Sequence, residues 1–137
     1  MAYDRYYENE IVAEVKNGVI EKELEYKNGV KPEDKRFSRD IRAIDEEIYK
    51  RINWNKLPKL SNDKRIIAEL ILDNGKLTTT DSVIDKQRIE DIYKAELKRV
   101  IADFPDVQVF YSRGQPLREG YYGPIIFSRQ NKRRYAR

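Results

Sequence analysis

The residues best equipped for recognition chemistry fall in two clusters. Tyr111, Arg113, Arg118, Tyr121 and Tyr122 crowd the stretch VFYSRGQPLREGYY, and Arg129, Lys132, Arg133, Arg134 and Arg137 fill the end of the chain with Tyr135 among them. Arginine pairs with carboxylates through a planar fork, and tyrosine covers apolar side chains while keeping a hydroxyl, so the first cluster suits a peptide. The same tyrosines serve equally for cross-strand packing, and the arginines as solvated loop charges. The second cluster suits phosphate, with Tyr135 placed for base stacking, or else makes a solvated end.

The classical catalytic sets are absent. The chain has 137 residues, no histidine and no cysteine. That excludes serine–histidine and cysteine–histidine catalysis, histidine- or thiolate-bound zinc, and disulfides. No glycine-rich phosphate loop or dinucleotide fingerprint occurs, and the carboxylates form no pair spaced for acid–base work. The expectation is a protein that is not an enzyme, with no cofactor and no metal. Apolar residues make up 39% and charged residues 38%, with ten tyrosines, so the chain is polar yet ordered and large enough for one core. No apolar run approaches the roughly 20 residues of a membrane span, and the start does not read as a signal peptide.

Turn chemistry and periodicity place the elements that must carry these clusters. EIVAEVK and VIEKELEY flank Asn17-Gly18, and Asn28-Gly29 closes the second run. Asn-Gly supplies the positive φ angles of a type I′ turn, so residues 1–30 read as an N-terminal β-hairpin. Ser38 is the expected N-cap of a helix over residues 39–52, with Ile41, Ile44, Ile48 and Ile52 on its apolar stripe. IIAELIL, the turn Asn74-Gly75 and LTTTDSV read as a second hairpin. Ile89, Ile92, Tyr93, Leu97, Val100, Ile101 and Phe104 line a second helix that Pro105 stops. VQVFY and YYGPIIFS supply two more strands, and residues 129–137 a basic tail. The fold class expected is α+β: two helices on a mostly antiparallel sheet of three to four strands, over residues 31–128, preceded by the hairpin.

From Ile41 to Ser128 the order of these pieces resembles the TonB C-terminal domain, in its diverged, Bacteroidetes-type form. DEEIYKRINW with LPKL is similar to the family's opening helix and its aromatic-proline corner, and IIAELILDNGKL to its first hairpin. ELKRVIADFP resembles its second helix, and GQPLREGYYGPIIF its closing turn and strand. The chain departs from the family in lacking a Pro-x-Leu-Asp approach to the second helix and a tryptophan-proline stretch after Pro105. With five prolines and no membrane segment it is not a complete energy transducer.

The resemblance implies a non-catalytic binding module of the bacterial cell envelope, meeting a segment of an outer-membrane transporter-like protein. It also implies a periplasmic or envelope location, with any export or anchor segment outside this chain; without it, the expectation is cytoplasmic. Strand addition at a sheet edge is the physical means, along Val107 to Ser112 or Tyr121 to Ser128. The expected contacts are Val107, Val109, Tyr111, Arg113, Arg118, Tyr121 and Tyr122. The same edge also suits a homodimer. The alternative is a small basic nucleic-acid-binding protein, net charge +4, using the terminal cations.

Overall fold

The computed structural model describes the backbone at residues 4–8, 11–16 and 19–26, and residues 29–137 in full. The fold is α+β. Its N-terminal part is a three-stranded antiparallel sheet in the order β1-β2-β3, formed by Asp4–Glu8, Ile11–Lys16 and Val19–Tyr26. The expected hairpin is therefore joined by a third strand, DRYYE, whose paired tyrosines favour extended backbone. Register shifts between Val12 and Ala13 and between Glu14 and Val15 skip residues of β3. Such bulges account for the imperfect alternation of VIEKELEY. The turn Asn17-Gly18 and the residue Asn28 lie outside the described residues.

The main sheet has the order β5-β4-β8, from Lys76–Thr79, Lys64–Asp73 and Glu119–Phe127. In β4 the side chains alternate strictly: Ile66, Ala68, Leu70 and Leu72 are buried, while Arg65 and Asp73 are exposed. That period of two lays one face against two helices, α1 (Ile41–Arg51) and α3 (Asp91–Ala102). Ile44 and Ile48 of α1, Leu97, Val100 and Ile101 of α3, and Ile125 and Phe127 of β8 close the core with Trp54. Asn74 and Gly75 both have positive φ, 48° and 86°, as a type I′ turn requires. A side chain at Gly75 would sit 2.9 Å from the Val107 carbonyl oxygen, so only glycine fits there.

Several local expectations give way to side-chain chemistry. Asp40, rather than Ser38, caps α1, its carboxylate accepting from the Arg42 N–H at 2.8 Å, while Ser38 Oγ accepts from Asp40 N–H. The strand in LTTTDSV stops at Thr79 because Asp81 opens a short helix α2 (Asp81–Asp85), where an acidic first turn suits the helix dipole. The α3 stripe begins at Tyr93; Ile92 is 44% exposed on its outer side.

VQVFY is extended but is not a strand of the sheet. Val107 N–H donates to Gly75 O and Gln108 N–H to Phe37 O, each at 2.8 Å, with single bridges Phe37–Val107 and Val30–Phe110. It clamps residues 30–37 to the β4–β5 turn, and then forms β6 (Tyr111–Ser112) of a hairpin with β7 (Gln115–Pro116). Nor is 129–137 an open tail. Residues Arg129–Tyr135 form α4, capped by Ser128 Oγ accepting from Asn131 N–H at 3.0 Å. Tyr135 returns to stack on Tyr49, centroids 5.2 Å apart.

Candidate functional site

The candidate site is the outer edge of β8. Among the described residues the strand pairs only with β4, from Leu72↔Glu119 to Lys64↔Phe127. Ile126 turns its backbone groups away from β4: its N–H donates to the Tyr49 hydroxyl at 2.9 Å, and its carbonyl accepts from Asn131 Nδ2 at 2.8 Å. In an antiparallel ladder alternate residues point the same way. Gly120, Tyr122 and Pro124 therefore aim their backbone groups outward too, and none of these has a partner among the described residues. Proline carries no N–H, so its place on the outward side removes no ladder bond. The edge is thus plugged at Ile126 by Tyr49 and Asn131 and open from Gly120 to Pro124.

The flank of α1 forms a wall beside this edge. Ile41, Asp45 and Tyr49 recur at four-residue spacing and so share one side of the helix. Tyr49 reaches the edge at Ile126, and Arg39, just before the helix, pairs with Glu119 at the other end. Ile41 belongs to the apolar stripe yet is 47% exposed, because no described residue covers the first turn. Below the wall, the Tyr121 hydroxyl, Asp45 Oδ1 and Arg39 Nε are buried without hydrogen-bond partners. Burial holds the Asp45 carboxyl above the usual range. Burial first, and then the nearby Asp45 charge, raises the Tyr121 phenol. The site offers unpaired main-chain groups, an uncovered isoleucine and an unsatisfied acid.

The residues expected from sequence separate on the structure. Tyr121 and Tyr122 lie on β8, Tyr121 facing α1 and Tyr122 on the opposite face, 66% exposed, its phenol raised by the Glu69 carboxylate. Arg118 precedes β8 and meets Asp73 at 3.6 Å. Val107 and Val109 are buried clamp residues; Val109 N–H donates to Asp34 Oδ2 at 2.9 Å. The N–H groups of both are thus engaged within the fold. Tyr111 holds Lys31 over its ring at 4.7 Å, and Arg113 occupies the tip of the β6–β7 turn with φ 51°. Ile41, Asp45, Tyr49 and Asn131 were not foreseen as site residues; an acid in line with Ile41 and Tyr49 on a half-buried flank was the readable signal.

The terminal cations gather elsewhere. Arg129, Lys132, Arg133 and Arg137 line a hollow of about 710 Å³ with Lys59, over Leu60 and Ala136. Arg129 Nε donates to Leu60 O at 2.7 Å, and Arg134 lies over the Tyr135 ring. Tyr135 itself is committed to Tyr49 and offers no open stacking face to the hollow. Among the described residues no group of three or more metal-ligating side chains occurs, and no helix is long and apolar enough to cross a membrane. Comparison with family models, with curated proteins and with solved structures finds no match for this chain.

Proposed function

We propose that the protein is a non-catalytic binding module that receives an extended peptide segment by strand addition along Gly120–Pro124 of β8. The observation that carries this reading is the run of outward, unpaired backbone groups on an edge strand, bounded by the Tyr49–Ile126–Asn131 plug. A partner strand gains main-chain hydrogen bonds to Gly120 and Tyr122 and to the Pro124 carbonyl. Its inward side chains meet the α1 wall, where Ile41 offers apolar contact and Asp45 with Tyr121 favours a hydrogen-bond donor or a cation. The likeness of residues 41–128 to the TonB C-terminal domain agrees with this mode. It carries with it an envelope location and a short segment of an envelope protein as partner.

The test is panning of a random peptide display library against the protein, with each binder retested on Tyr122→Pro. That substitution removes one outward N–H and leaves the β4 ladder untouched. Binders that lose at least ~10-fold affinity on Tyr122→Pro support strand addition, the loss of one hydrogen bond plus a steric block being worth about 1.4 kcal/mol or more. Binders indifferent to it, or no binders, count against the reading.

A further inference from the structure

The hollow beside α4 is independent of the β8 edge, and its charge differs from that of the neighbouring hollow. Lys50, Arg51 and Arg99, which border the neighbouring hollow, are held by Glu46, Glu47 and Glu96. Among the described residues no carboxylate pairs with Lys59, Arg129, Lys132, Arg133, Arg134 or Arg137. Helix α4, the loop residue Lys59 and Arg137 thus set unmatched positive charge around one concave floor. Mutual repulsion among these groups is tolerable only while water and counterions screen them, and a polyanion would replace that screening.

We infer that this hollow binds the phosphodiester backbone of nucleic acid without reading its sequence. Arginine predominates, and its fork matches the paired oxygens of a phosphate. Among the described residues the large exposed apolar ones, Ile41, Ile92, Leu117 and Tyr122, all lie outside the patch, so it lacks the apolar wedge with which a basic surface enters a bilayer. It presents a helix face rather than an open strand edge, which disfavours an acidic peptide held by main-chain pairing. Tyr135 is stacked on Tyr49 and no aromatic residue lines the hollow, so contacts fall on the backbone.

The experiment is titration of a fluorescent random-sequence DNA duplex at several salt concentrations. If Lys59, Lys132, Arg133 and Arg137 each neutralise one phosphate, log K against log salt has a slope of about −3.6, a ~150-fold loss between about 50 and 200 mM. Lys59→Gln with Arg133→Gln lowers the slope to about −1.8, a ~12-fold loss over the same range. Neither residue makes a hydrogen bond or ion pair among the described residues, so the melting temperature stays unchanged. Lys35→Gln with Arg88→Gln removes the same net charge away from the hollow and leaves the slope near the parent value. Equal falls in both variants would assign binding to overall charge and overturn the proposal, as would no binding at about 50 mM salt. Equal or tighter binding to phosphatidylserine vesicles or polyglutamate overturns the choice of nucleic acid. A tenfold preference among homopolymers overturns backbone-only recognition.

Discussion

Replacing Tyr49 by phenylalanine isolates the plug on the β8 edge. The ring remains, so its stacking on Tyr135 at 5.2 Å and its contact with Trp54 are kept. The hydroxyl goes, and Ile126 N–H loses its acceptor at 2.9 Å. A buried amide left without a partner costs ~1–3 kcal/mol; Ile126 is only half-buried, which places the cost at the lower end, about 1 kcal/mol. For a domain of this size that lowers Tm by roughly 3–5 °C. Urea unfolding gives the free energy, and amide exchange at Ile126 reports the local event. The variant should also lengthen the open edge by one donor, so edge-to-edge self-association, read as mass against concentration, should rise. A stability change under about 0.3 kcal/mol with Ile126 exchange unaltered would refute the plug.

Three further outcomes follow from the same geometry. Gly29→Ala should destabilise by about 2–4 kcal/mol in urea, because φ is 75° and the new methyl would lie 1.8 Å from a Phe110 ring carbon. Asp45→Asn should stabilise the fold at neutral pH by about 1 kcal/mol, since burial disfavours the charged form. A carboxyl raised on folding loses stability as pH climbs through its range, so that gain should vanish near about pH 3, checked by unfolding at both pH values. Asp34 has the opposite sign: the Arg36 side chain first, with the Val109 and Arg36 N–H groups, brings it down to about 2 from its ordinary 3.8. Its contribution is present above 3.8 and lost as pH falls through 2. With Arg36 41% exposed and screened, Asp34→Asn should cost about 1–2 kcal/mol at neutral pH and flatten acid unfolding in that window.

Where local chemistry decides structure, the chain was readable. Asn74-Gly75 specified its turn through two positive φ angles, and the alternation of β4 specified which face the helices cover. The α+β class followed from those two features and two amphipathic stripes. Where a partner distant in sequence decides, it was not. VQVFY has the composition of a strand, yet its amides are taken by Gly75 and Phe37, and no local pattern reveals that. The basic run after Ser128 became helix α4 because Ser128 caps it and Tyr135 finds Tyr49, a contact across 86 positions of chain. For the site, Tyr121 and Tyr122 were visible as edge candidates, while Ile41 and Asp45 matter only because α1 runs beside β8. The terminal cations were conspicuous, but their meeting with Lys59 depends on how α4 folds back.

The most direct test of the β8 edge is amide hydrogen exchange along the strand in the dilute monomer. Tyr121, Gly123 and Ile125, which face β4, and Ile126, held by Tyr49, should exchange slowly, while Gly120 and Tyr122 exchange orders of magnitude faster. Protection at Gly120 and Tyr122 equal to that of their neighbours would mean the edge is already occupied, and the strand-addition site would not exist.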